Sequence, residues 1–429
     1  MIRVARTSHQ SLPVASRKRG RRGAVFAAAI AALTVLHTSG CGRGRYVAEG
    51  LTLAQQRQAQ MKSGTEWSMA HQAFLAGDLD KAMTRIERSL AINPEVAKSH
   101  ALLGRILMEQ SHLGPALRAF AEASRLDPEL VDAHYYAGVA LERLDRPADA
   151  FLSYDRAATL DPGNAQHAVA AAEMLIDQGR APDAREYLEH YQAEHEFSAG
   201  VKHTLGHIAL LEGRSDLAER LLREAVLLAP DDPSIVVDLI DAQLASGRFA
   251  LAERHLAELL RRPEMRDRRD LAHLRARCLV ELDRLVEARR VLQELTKGDA
   301  GRSDPEAWIA LARVSLSLGL PAELKDAADQ AVAVAPDRHE GYLYQAMWHR
   351  IRGEHAEAIK RVAQATQRSP GAPEIPMLRA FILQDLGRPA EALAALHRAH
   401  ELDPVNPEIA RLIDGLESHS RLAGVQSDE

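Results

Sequence analysis

His203 and His207 stand four residues apart, and a helix turning every 3.6 residues would set both imidazoles on one face. Glu173 lies 34 residues before His207, and Asp241 lies 34 residues after it. Imidazoles flanked by carboxylates suit zinc, so a metal-binding or catalytic site is one reading of this group. The other is a solvated polar groove without metal or cofactor, because 19 histidines are spread over the chain and pairs at this spacing arise by chance. No nucleophile elbow, P-loop, dinucleotide-binding glycine fingerprint or HExxH pair occurs, and Gly206 and Gly213 are separated by helix and form no phosphate cradle. The protein expected from these residues is not an enzyme. Cys41 and Cys278 are the two cysteines, too few for a disulfide framework or a cysteine metal site. Cys278 falls in an apolar helical pattern and reads as a small buried hydrophobe.

The elements that would position these side chains recur along the chain. Proline follows Asn93, Asp127, Asp161, Ala229, Ala335, Ser369 and Asp403, often at 34-residue spacing. Alanine stands twelve residues before six of the prolines, at Ala82, Ala116, Ala150, Ala218, Ala358 and Ala392. Residues 131–164 show the whole unit: Ala137, Gly138 and Leu141 share a helical face in its first half, and Ala150, Tyr154 and Ala157 share one in its second. Asp145-Arg146-Pro147 separates the halves, and Asp161-Pro162-Gly163 ends the second, since proline cannot continue a helix. Small residues let two helices approach while bulky ones fill the space beside the crossing.

This order of small, large and proline positions resembles the tetratricopeptide repeat, a helix-turn-helix unit. The resemblance implies an all-α fold, a right-handed superhelical solenoid of stacked hairpins. Ten units follow in register, at 63–96, 97–130, 131–164, 165–198, 199–232, 233–266, 269–302, 305–338, 339–372 and 373–406. The fourth has Glu196 where proline is expected, and the eighth has Leu324 in place of the crossing alanine. Insertions at Asp267-Arg268 and Ser303-Asp304 break the register, dividing the array into units at 63–266 and units at 267–406, with a change of pitch expected between them. A capping helix is expected at 407–417, where Ile409, Leu412, Ile413 and Leu416 can cover the last repeat, followed by a polar tail at 418–429.

The first 40 residues read as a signal peptide rather than as part of the array. Arg3, Arg6, Arg17, Lys18, Arg19, Arg21 and Arg22 precede the uncharged run Ala24 to Leu36, too short to span a bilayer as a helix. The run ends in Thr38-Ser39-Gly40-Cys41, which resembles a bacterial lipobox and implies cleavage before Cys41 and lipid attachment to it. Gly42 in the next position implies sorting to the outer membrane, and residues 41–62 read as a tether with some helix. An uncleaved N-terminus on a cytoplasmic regulator is the competing arrangement. Removing residues 1–40, with seven basic and no acidic side chains, takes the formal net charge from −6 to −13. Nucleic-acid binders are usually basic, so no nucleic-acid partner is expected. The arginine-rich join at 261–269 interleaves acids and lacks aromatics, as a solvated connection does.

The resemblance places a partner-binding groove on the first helix of each unit, at its second, fifth, ninth, twelfth and thirteenth positions. In the first unit these supply Trp67, His71 and Phe74, and in the second Lys98, Arg105 and Glu109. Tyr135, Glu142 and Arg143 follow in the third, with Glu173, His203, His207 and Asp241 in the next three. Met347, Arg350, Met377 and Phe381 form an apolar contact patch near the end. The paired Lys and Asn of chaperone-type members are missing from these positions. The expected protein is therefore a scaffold or adaptor of the bacterial cell envelope, lipid-anchored at the outer membrane and facing the periplasm. Protein or peptide segments would fill its groove, and the N-terminal lipid would hold it to the membrane. Pilus, secretion, polysaccharide and other envelope assemblies are all compatible.

Overall fold

The computed structural model describes residues 41–426, with side chains placed for residues 52–418. The expected export signal at 1–40 and the side chain of Cys41 that would carry the lipid lie outside the described residues. Among the described residues there are twenty-two helices and no strand. They fall into two compact units, one ending at Pro128 and the other beginning at Glu129.

In the first unit, α1 (Cys41–Leu75) packs on α2 (Leu79–Ile92), and α3 (Ala97–Glu109) packs on α4 (Leu113–Leu126). The second unit pairs α5 (Val131–Glu142) with α6 (Pro147–Leu160), α7 (Ala165–Asp177) with α8 (Ala181–Gln192), and α9 (Ala199–Leu211) with α10 (Ser215–Leu228). It continues with α11 (Pro233–Ala245) against α12 (Phe249–Leu259), α13 (Arg269–Glu281) against α14 (Leu285–Leu295), and the short α15 (Gly298–Arg302). Next come α16 (Pro305–Ser317) with α17 (Pro321–Val334), α18 (Glu340–Ile351) with α19 (His355–Arg368), α20 (Glu374–Asp385) with α21 (Pro389–Leu402), and the closing α22 (Pro407–Gln426). The fold is an all-α array of helical hairpins. Within the second unit, first helices of successive hairpins also touch, as α7 does α9, α9 does α11, and α18 does α20.

One backbone demand recurs at each hairpin, and a second at several of them. The residue closing the first helix adopts a left-handed conformation, and glycine supplies it at Gly179, Gly213, Gly247, Gly319, Gly353 and Gly387. Ser111, Asp145 and Asp283 meet the same demand without glycine, at φ of 62°, 56° and 56°. Close helix approach is the second demand. A Cβ on Gly138 would lie 2.7 Å from the ring of Tyr154, which is buried and donates its hydroxyl to Glu142 Oε2 at 2.6 Å. Gly104 stands in the same relation to Phe120.

The core passes through both register breaks. One cluster joins Val236, Leu256, Leu271 and Cys278, and the next joins Ala276, Leu292, Ala307 and Leu324. The second insertion joins the short α15 to α16, where Asp304 accepts from the Ala307 N–H as N-cap, and Leu324 is fully buried where other units have alanine. Cys278 is fully buried, which pushes its thiol up to about 11.

Residues 41–62, expected as a tether with some helix, belong to α1, and α22 runs past Glu417 into the expected polar tail. Ala54, Gln55, Gln56, Arg57, Gln58 and Ala59 are strong helix formers even without a partner surface. Packing begins at Ser63, whose hydroxyl lies 3.0 Å from that of Ser89. No helix among the described residues is long and apolar enough to cross a membrane.

Candidate functional site

Three hollows open along the first helices of the second unit, and each has a different chemistry. The first, of about 320 Å³, is bounded by Glu142 of α5, by Glu173 and Asp177 of α7, by His203 and His207 of α9, and by Asp238 of α11. Side-chain caps fix the starts of the two central helices: Ser198 accepts from the Val201 N–H, and Asp232 accepts from the Ser234 N–H. His203 Nε2 and His207 Nδ1 both reach Asp238 Oδ2, at 2.9 and 3.2 Å. Both rings are therefore aimed at one carboxylate oxygen, and no cluster of three or more His, Cys, Asp or Glu side chains able to hold a metal occurs among the described residues.

Electrostatics in this hollow are dominated by crowded acids. Burial tends to raise Asp238, but the hydrogen bonds from His203 and His207 outweigh it and hold the carboxyl well below its ordinary range. His207 moves up in return, because the bond to Asp238 favours imidazolium more strongly than burial opposes it. Glu173 is raised by desolvation and by facing Glu142, and Asp241 by desolvation and by Asp238. The sequence pattern picks out Asp241, but the histidines bond instead to Asp238, three residues earlier on the same helix.

The second hollow, of about 310 Å³, lies between α13, α16 and α18. Arg277 and Arg313 enter it from adjacent first helices over a floor that includes Ala276, Val280, Ile309 and Ala310, with Tyr344 beside them. The nearby acids are already engaged: Glu306 accepts from Arg338 at 2.5 Å, and Asp304 accepts from His273 at 2.8 Å and also from Arg269. Neither Arg277 nor Arg313 is itself in an ion pair or side-chain hydrogen bond among the described residues. Burial holds the Tyr344 hydroxyl above its usual range.

The third hollow, of about 460 Å³, is lined by Leu316, Met347, Ile351, Leu378 and Phe381, with Arg350 and Asp385 at its polar edge. The Arg350 guanidinium lies 5.3 Å from the Phe381 ring centroid and donates Nε–H to Asp385 at 2.5 Å. Met377, expected in the same patch, packs instead beside Ala380 and Leu383 in the core of the last hairpin.

The remaining candidates are placed as follows. In the first unit, Trp67 stacks on His71 with centroids 5.2 Å apart and donates Nε1–H to the Lys98 carbonyl, while the Arg105 guanidinium lies 4.8 Å from the Phe74 ring centroid. Trp67 and Phe74 also pack against the core of that unit. In the second unit, Tyr135 contacts the rings of Tyr154 and His167, and Arg143 is exposed at the end of α5. Sequence reasoning missed Asp238, Arg277, Arg313 and Tyr344. Reading the ninth position of every unit in turn finds the two arginines, since it gives Glu173, His207 and Asp241, then Arg277 and Arg313, then Met347 and Phe381.

An array of helical hairpins with hollows along its first helices defines a repeat scaffold. Family models described as tetratricopeptide repeat match residues 102–165, 165–190, 209–278 and 350–414, together more than half of the chain, and the protein belongs to that family. The chain is 25% identical over 250 residues to cellulose synthase 1 operon protein C of Komagataeibacter xylinus, a match covering 47% of this chain and 19% of that protein. The matched stretch is thus about a fifth of the relative's length. Among solved structures, a tetratricopeptide repeat protein from Parabacteroides merdae aligns with a TM-score of 0.46 at 15% identity, covering 59% of this chain and 98% of that one. PilW, described as a type IV pilus biogenesis factor, aligns with a TM-score of 0.42 at 19% identity, covering 47% and 93%.

Proposed function

We propose that this protein is an adaptor of the bacterial cell envelope, lipid-anchored through Cys41 at the outer membrane, that grips an extended polypeptide segment along its first helices in the periplasm. The observation that carries the adaptor reading is the succession of three open hollows on neighbouring first helices of one array, a surface suited to a long segment rather than a small molecule. The basic segment, short apolar run and Cys41 support export and lipidation. Similarity to a cellulose synthase operon protein supports envelope polysaccharide assembly as the setting.

Two measurements test this reading. Mass spectrometry of the protein purified from membranes is expected to find an acylated N-terminal Cys41, and an intact Met1 would sink the anchor. For the groove, a photo-crosslinking amino acid at Met347 is expected to capture a discrete envelope protein. The same label at exposed Leu227, away from the hollows, is expected to capture none. Equal capture at the two positions would remove the groove from the proposal.

A further inference from the structure

The ninth position of successive units sorts by chemistry along the second unit. Glu173, His207 and Asp241 come first; the hollow beside them is lined by the carboxylates of Glu173 and Asp177, while its Asp238 is taken up by His203 and His207. Arg277 and Arg313 follow, two guanidiniums without ion-pair partners in a chain whose formal charge is negative. Met347 and Phe381 close the row in an apolar hollow. The first two hollows are not neutralised by each other. Glu173 and Asp177 make no ion pair among the described residues, and the acids around Arg277 and Arg313 already serve Arg338, Arg269 and His273. Unspent charge of opposite sign in adjacent hollows is a complementarity pattern that fixes the register of a partner more than it adds affinity.

We infer that the segment gripped by this protein is charge-ordered, placing a basic side chain in the hollow beside Glu173 and Asp177, an acidic side chain between Arg277 and Arg313, and an apolar side chain against Met347 and Phe381. This rests on the adaptor reading and adds the chemistry and order of the partner's anchors. Arginine is suited to the middle position, because its fork meets a carboxylate with two parallel hydrogen bonds. The hollows also set the spacing. From Glu173 to Arg277 are three steps between first helices and from Arg313 to Phe381 are two, each about 8–10 Å. An extended chain at roughly 3.3 Å per residue therefore needs about seven to nine residues between the first two anchors and about five or six between the last two.

The test uses the full chain and three synthetic fluorescein-labelled peptides of equal length, followed by fluorescence anisotropy. The matched peptide carries Arg, Glu and Phe blocks in that order at the spacing above, with Gly-Ser between them. A shuffled peptide exchanges the Glu and Phe blocks, and a swapped peptide has Lys in place of Glu. The matched peptide is expected to bind at least about tenfold more tightly than the shuffled one. Arg277→Glu with Arg313→Glu should reverse the preference, losing about tenfold for the matched peptide and regaining it with the swapped one. Both arginine side chains are exposed, so this variant keeps its packing, and the comparison of peptides on the unmodified chain stands without it. Equal affinity for matched and shuffled peptides, including no binding of either, overturns the charge order, as does failure of the swapped peptide to recover affinity. Crosslinking at Met347 assumes no charge order, so its persistence alongside a failed peptide series removes this inference alone.

Discussion

Arginine recurs just before the second helix of several hairpins, and its contribution to stability should differ sharply between units. Arg248 caps α12 and reaches Glu219 of the preceding hairpin, a carboxylate with 0% exposure that Arg223 also contacts, and it donates to Asp216 at 2.8 Å. Arg146 occupies the equivalent place before α6 but meets only Asp149, with both side chains about half exposed. Removing one partner of a buried ion pair costs about 3–5 kcal/mol, and the surviving Arg223 contact reduces the expected loss for Arg248→Ala to about 2–3 kcal/mol. An exposed pair contributes below about 1 kcal/mol, which bounds Arg146→Ala. Repeat arrays open locally, so the assay is amide hydrogen exchange resolved by segment rather than a global melt. Protection in α10 to α12 should fall roughly 30- to 150-fold in Arg248→Ala, against at most about fivefold in α5 and α6 for Arg146→Ala. Equal losses in the two variants, or unchanged protection of α10 in Arg248→Ala, would refute the burial argument.

Three further outcomes follow from named geometry. Gly138→Ala should destabilise by about 1–3 kcal/mol in urea unfolding, because the added methyl needs the space that the Tyr154 ring occupies. Ser111→Gly should stabilise by about 1 kcal/mol, because φ of 62° is costly for a residue with a Cβ; Ser111→Ala, measured alongside, should show no gain. His207 should titrate above the ordinary imidazole midpoint of about 6.5 by NMR, and Asp238→Asn should bring it back down. A raised histidine contributes stability below about pH 6.5 that is lost as pH climbs through its folded value. A depressed aspartate contributes above about pH 4 that is lost as pH falls through its own folded value. The stability difference between the native chain and Asp238→Asn should therefore be greatest between about pH 4 and 6.5, and a difference that grows toward pH 8 would contradict the assignment.

The hairpin architecture was legible because each demand of the fold uses a distinct residue type. Close approach requires Gly138 opposite Tyr154, and proline after Asp161 ends a helix regardless of what surrounds it. Such steric requirements are local and therefore survive in a linear sequence. The extent of helix at residues 52–62 was less legible than its presence, because few apolar anchors mark it and intrinsic propensity extends α1 without any surface to cover. Division after Pro128 left no mark, since the repeat period runs unchanged through it and the two visible insertions, at 267 and 303, lie within continuous core.

Side-chain chemistry in the groove was legible by type but not by partner. The four-residue spacing of His203 and His207 put both rings on one face, yet it could not show that both would turn to Asp238 rather than to Asp241. That choice depends on how α11 is rotated against α9, a packing property in which three residues along a helix change the side presented by about 60°. Arg277 and Arg313 show the converse. Their charge and position are plain in the sequence, but what makes them available is that Glu306 and Asp304 are occupied by other residues, which only the packed structure reveals. A binding surface made of unspent charge is thus set by the pairs that form around it, and the order of acid, arginine and apolar side chains along the ninth positions acquires meaning once those pairs are known.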